Sequence, residues 1–165
     1  MKARRLTVIG LALLASSCSL VQEQSESSTE SATVVRGVDG DTSEARGAED
    51  CTRRVLGIDA PELGECGALE ATQRLEQLLP PGADITVITD PVSDPVDRYG
   101  RRLAYIETSG AGDLGAVLVT EGLTGVWWPA SEPMPERASG YGRLRDQARS
   151  EGTGSWGQCG HLGRE

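Results

Sequence analysis

Four short segments of the sequence carry acids and arginines close enough together to do chemistry. They are Asp39-Gly40-Asp41-Thr42, Arg54, Asp59-Ala60-Pro61-Glu62 and Asp97-Arg98-Tyr99-Gly100-Arg101. The single histidine, His161, argues against a Ser-His-Asp or Cys-His relay and excludes a zinc site built from several histidines. Hydrolytic chemistry would therefore run on carboxylates, arginines and a hard cation. Each segment also has an ordinary reading. Asp39-Gly40 is a standard turn pair, Arg54 would serve as a solvated strand residue, Asp59 to Glu62 as a proline-stiffened turn, and Asp97 to Arg101 as a surface loop with an internal ion pair.

The elements that must position these residues are strands first and helices later. Thr33–Val38 reads as a strand running into the Asp39–Asp41 turn, Thr42–Arg46 as its return, and Thr52–Ile58 as a third strand ending at Asp59. Ala68, Ala71, Leu75, Leu78 and Leu79 fall on one helical face, and Pro80-Pro81-Gly82 stops that helix. Asp84–Thr89 alternates like a half-buried strand, with Arg101–Thr108 as its partner across a long loop. Asp113 is placed to cap a second helix that turns Leu114, Val117 and Leu118 inward and ends near Gly122, and a third runs over Tyr141–Ser150 to Gly152. This order predicts an α+β domain: a five-stranded barrel of the OB type with three packed helices.

Composition agrees. The chain has 165 residues, 38% of them hydrophobic, no phenylalanine, and 21 glycines and eight prolines, which suits one turn-rich domain rather than a helical bundle. The formal charge of −9 argues against a general nucleic-acid binder with a basic face. It argues less against an enzyme that gathers a few arginines in one cleft, where the local field decides.

Lys2, Arg4 and Arg5 followed by the apolar run Leu6–Ala15 read as an export signal over residues 1–17, since the run is too short to span a bilayer. Small residues just before Cys18 resemble a bacterial lipoprotein cleavage site. Cys18 is then either an acylated membrane anchor or incidental to an ordinary signal peptide. Residues 18–33, rich in Ser, Thr, Glu and Gln, are expected to form a disordered tether, with the domain over 34–157 and a tail over 158–165. The protein would be exported, either lipid-anchored facing outward or secreted. An oxidising compartment permits disulfides. Cys66–Cys159 is the favoured bridge, closing a loop that would stabilise by about 4–5 kcal/mol; a pairing of Cys51 stays open.

Taken together, VRGVDGDT (35–42), RVLGIDAPE (54–62) and DRYGRRLAYIE (97–107), in this order with a helix before the third, resemble the thermonuclease, or staphylococcal-nuclease-like, family. LGAVLVTEGL and the closing ARSEGTGSW are similar to that family's second helix and final segment, so the resemblance covers residues 34–157. It implies that Asp41 and Asp59 ligate calcium, with the backbone carbonyl of Ala60 beside them. It also implies that Glu62 positions or deprotonates the attacking water and that Arg54 and Arg101 contact the scissile phosphate. Ala60 stands where the family often has threonine, and Leu63–Gly67 lacks the lysines that some relatives carry there.

The physics suits these roles. Calcium takes oxygen ligands, and planar guanidinium groups match the charge that develops on a phosphodiester. Arg98 and Tyr99 are candidate substrate contacts. Trp127 and Trp128 would either stack on bases or belong to the core. The resemblance implies an endonuclease-like hydrolase, acting as a monomer on single-stranded or locally melted DNA or on RNA and leaving 3′-phosphates. The acidic total predicts weak substrate affinity with steep salt dependence. Two alternatives are a binding module of the same fold without catalysis, and a structural envelope lipoprotein, which would leave the charged set unexplained.

Overall fold

A computed structural model describes residues 26–48 and 50–164; the expected signal peptide and Cys18 lie outside the described residues. Strand β1 (Thr29–Gly37) is rich in β-branched residues and buries Ala32 and Val34 in alternation. It pairs antiparallel with β2 (Thr42–Arg46), which pairs antiparallel with β3 (Cys51–Val55). The short β4 (Ile58–Asp59) follows, then helix α1 (Ala68–Leu78), β5 (Asp84–Ile88), β6 (Arg102–Thr108) and the two-residue β7 (Gly112–Asp113). Helix α2 (Leu114–Thr120), β8 (Gly125–Val126), α3 (Ala138–Glu151) and a 3₁₀ turn over Gly154–Gly157 complete the order.

Five strands close into a barrel. The sheet runs β3-β2-β1-β5-β6, and a parallel pairing of β3 with β6 joins its edges, leaving β7 appended to β6. Closure depends on β1 serving two neighbours. Its first half pairs with β5 and its second half with β2, and the register slips between Val34 and Arg36, the local kink that lets one strand bend around a barrel. The expected α+β barrel with three helices is the fold observed.

The expected tether is shorter at its C-terminal end than the sequence suggests. Residues 29–33, assigned to it for their polarity, are the half of β1 that pairs with β5. Glu30 sits there for a reason: its carboxylate receives Arg53 Nη2 at 3.2 Å, and the Arg53 side chain is fully buried. Arg53 Nη1 also donates to the carbonyls of Ala45 and Cys51. A buried guanidinium needs such a set of acceptors, because desolvating an unpaired charge costs far more than any packing it gains.

The helices lie where their apolar faces predict. Ala68, Ala71 and Leu75 of α1 are buried, as is Leu79 just beyond it. Asp113 caps α2 by accepting from the Ala116 N–H at 3.2 Å. Helix α3 starts earlier than expected, at Ala138, because a polar cluster docks its first turn. Asp90 accepts from Tyr105 Oη and from the Glu136 N–H, and Asp113 accepts from Arg137 and Tyr141. Burial comes first in pushing both tyrosine hydroxyls above their usual titration range, so they stay protonated donors. Gly152 ends α3 in the left-handed conformation.

A main core of Val55, Ile58, Leu75, Ile106, Leu114 and Leu118, among others, fills the barrel and its helical cover. A second cluster of Ala148, Trp156, Cys159 and Leu162 pins the C-terminal segment. Cys66 and Cys159 form the disulfide, and Cys51 is a free, half-buried thiol. Among the described residues no helix is long and apolar enough to cross a membrane.

Candidate active site

The β1–β2 turn delivers Asp41. Asp39 accepts from the Asp41 N–H at 3.1 Å, and the Val55 N–H bonds the Asp41 carbonyl at 2.8 Å, so the turn is fixed both to itself and to the end of β3. Register places Arg54 opposite Thr42 across β2 and β3. The third strand expected over Thr52–Ile58 is in fact split into β3 and β4 by a turn at Leu56-Gly57. That break matters for the site, because it folds Asp59 back beside Arg54.

The result is a buried cluster. Arg54 Nη2 donates to Asp41 Oδ2 at 2.8 Å and to Asp59 Oδ1, while its Nη1 donates to the Ile58 carbonyl at 3.0 Å. Asp41, Arg54 and Asp59 are each less than a tenth exposed. Burial pushes the Asp41 carboxyl up to about 6; the Arg54 charge opposes that rise and Asp39 adds to it. One guanidinium is thus shared between two desolvated carboxylates, which keeps both charges paired where water is scarce.

Arg101 reaches the cluster from the far loop. Asp97 accepts from the backbone N–H groups of Tyr99 and Arg101, both at 2.9 Å, and from Arg101 Nε at 2.8 Å. Burial alone would raise the Asp97 carboxyl, but these bonds outweigh it and hold it below the usual range. Held this way, Arg101 Nη1 lies 3.4 Å from Thr42 Oγ1, which itself donates to Asp41 Oδ1 at 2.9 Å. A continuous line of contacts, Arg101–Thr42–Asp41–Arg54–Asp59, thus joins all four segments.

Above this line opens a cleft of about 830 Å³ whose lining includes Arg54, Arg98, Tyr99, Arg101, Trp127 and Trp128. The guanidinium groups of Arg98 and Arg101 lie 4.8 and 5.4 Å from the Tyr99 ring centre, and Tyr99 is largely exposed. Trp128 packs against the core and also lines the cleft. Glu62 is exposed on the loop after Pro61, its backbone N–H bonded to the Glu65 carboxylate at 2.8 Å.

Ala60 engages the site through its N–H, which donates to Asp41 Oδ2 at 2.9 Å. Residues 158–164, within the segment expected as a tail beyond the domain, run back across the site. Arg164 donates to Asp59 Oδ2 from its N–H at 2.7 Å and from Nε at 3.3 Å, and to Oδ1 from Nη2 at 2.9 Å. The oxygen donors Asp41 and Asp59 are right in kind for a hard cation. As placed, however, all four of their carboxylate oxygens already receive N–H or O–H donors, and among the described residues no third acidic, histidine or cysteine side chain joins them as a metal cluster. A hard cation there would have to displace N–H donors, those of Arg164 among them, from these oxygens. Asp41, Arg54 and Asp59 handle charge here as an ion-paired set.

Arg164 and Arg53 are the residues that the sequence reading passed over. Arg164 carries no local motif; only its return to Asp59 in three dimensions marks it.

A search of curated proteins gives no significant match. The model of the family described as staphylococcal nuclease homologue matches residues 52–158, well over half of the 165 residues. That stretch contains Arg54, Asp59, Glu62 and Arg101, while Asp41 joins them from the preceding turn. With the closed barrel, its three helices and the arginine–carboxylate cluster at one end, the chain belongs to the staphylococcal nuclease homologue family.

Proposed function

We propose that the protein is an exported phosphodiester hydrolase acting on DNA or RNA. The observation that supports this most is the convergence of Arg54 and Arg101 on one cleft from segments 47 positions apart in sequence, connected through Thr42 and Asp41. Two planar guanidinium groups offer bidentate donors to the non-bridging oxygens of a phosphate and gain strength as charge builds there. Glu62 does not line the cleft but is exposed and within electrostatic reach of Arg164, which does, and it is the group proposed to accept a proton from an attacking water. Water would add to phosphorus, the bond to the 5′ oxygen would break, and the product strand would keep a 3′-phosphate. Arg98 and Tyr99 would hold the substrate strand, Tyr99 by stacking on a base.

The calcium dependence general to this family belongs to the proposal, with Asp41, Asp59 and the neighbouring Ala60 as the residues that would hold the ion. So does export, with Cys18 either acylated to anchor the protein outward or lost with a signal peptide. The test is degradation of single-stranded DNA by the purified protein in calcium and in excess chelator, with end-group analysis of products. Cleavage to 3′-phosphates that is lost in Arg101→Ala and Glu62→Gln supports the reading. No cleavage in any divalent cation by folded protein would leave the non-catalytic binding module of the same fold.

A further inference from the structure

The geometry points to Arg164 as the built-in counter-cation of Asp59, one that a divalent cation must displace before the Asp41–Asp59 pair can hold it. This rests on the reading of that pair as a cation site, and it concerns occupancy, not the reaction.

Three observations carry it. Arg164 makes three hydrogen bonds to one carboxylate, from its backbone N–H, Nε and Nη2, and so takes both oxygens of Asp59. Its guanidinium is sandwiched on the other side by the Trp127 ring, 4.0 Å from the ring centre, which holds it in place while leaving the side chain about half exposed. The backbone is shaped for this approach. A Cβ at Gly163, where φ is +63°, would meet the Asp59 carbonyl at 2.3 Å, and one at Gly125 would meet the Leu162 carbonyl at 2.2 Å. Two glycines on facing segments thus let the tail lie directly on β4 and β8.

The tail is also anchored upstream of Arg164. Leu162 is fully buried, and Cys159 is bonded to Cys66 in the loop that follows Glu62. Among the described residues, Gly163 and Arg164 are the ones that have to lift for Asp59 to be released. Arg164 also lies within electrostatic reach of Glu62 and Asp41, so its departure removes positive charge from the whole acidic set and its place is suited to another cation. A tail docked for most of the time lowers apparent cation affinity by the fraction of molecules in which it is undocked, about tenfold when that fraction is one tenth.

The experiment is cation binding without substrate. Terbium emission sensitised through Trp127, and calorimetric titration with calcium, are compared in the native protein, in Arg164→Gln and in Gly163→Val. The valine variant lifts the tail while keeping the arginine. The expected result is that both variants bind at least about tenfold tighter than the native protein, with unfolding transitions that stay cooperative. Equal affinity in all three proteins, weaker binding in Arg164→Gln, or binding by none of them would overturn the inference. Because no nucleic acid is present, equal or weaker binding in the variants leaves the hydrolase reading untouched, binding by none also removes Asp41 and Asp59 as its cation holders, and failure to cleave DNA leaves this result standing.

Discussion

Replacing both Cys66 and Cys159 with serine should lower stability by an amount the structure fixes. The bridge spans 93 residues. On the chain-entropy relation a closed loop of that length restricts the unfolded chain by about 16 cal/mol/K, or about 4.6 kcal/mol at 25 °C. Cys159 is also buried beside Ala148, Trp156 and Leu162, so the serine hydroxyls bring a polar group into an apolar cluster and add to the loss. For a domain of this size the entropic part alone corresponds to a fall in melting temperature of about 15 °C. The assay is thermal unfolding followed by circular dichroism, in parallel with and without a thiol reductant, on a Cys51→Ser background so that the free thiol cannot exchange. The native bridge should melt well above the double-serine variant when oxidised, and the two should nearly coincide when reduced. Equal melting points under oxidising conditions would refute the reasoning, because they would mean that the tail is held by packing alone and the cross-link restricts nothing that packing does not.

The other predictions follow from named contacts. Arg101→Ala should cut turnover by about 10²–10³ while leaving the melting temperature nearly unchanged, since its side chain serves the cleft rather than the core; unchanged turnover would remove Arg101 from the chemistry. In chelator, Asp41 titrates near 6 in the folded protein against an ordinary value of 3.8, so the folded state holds this proton longer. The sign is that folding is favoured below the ordinary value and loses about 3 kcal/mol as pH rises through 6. Asp41→Asn should therefore flatten the fall in stability between pH 4 and 7 seen by urea unfolding, and an unaltered slope would contradict the burial argument. Glu30→Ala should cost about 2 kcal/mol by removing a charged acceptor from the buried Arg53, and deletion through Thr33, which also strips the β1 strand from β5, should cost more; native stability in either would return residues 29–33 to a tether.

Much of the barrel was legible because its strands and helices follow short-range rules. Thr42–Arg46 matches β2 residue for residue, and Asp84–Thr89 and Ala68–Leu79 differ from β5 and α1 by one residue at one end. Alternation and helical spacing are printed in the chain itself, and turn signals such as Asp39-Gly40 and Pro80-Pro81-Gly82 mark the ends. The errors fall where pairing overrides composition. Residues 29–33 look like a polar tether, yet β5 needs an antiparallel partner there and Arg53 needs Glu30. Thr52–Ile58 reads as one strand, yet Gly57 adopts φ of +83° and breaks it so that Asp59 can meet Arg54.

The sequence by itself determined the residue types of the charged cluster and the order in which they arrive: Asp41, Arg54, Asp59 and Arg101 are carried by motifs whose spacing survives on a line. It also determined which of the cysteines beyond Cys18 was favoured to pair with which, Cys66 with Cys159. What only the tertiary structure decided is which charges meet. Arg164 is 105 positions from Asp59 and sits in no motif, yet it takes both oxygens of that carboxylate. Coulomb energy and desolvation depend on distance in space and on what excludes water around a charge, and neither quantity is written in separation along the chain.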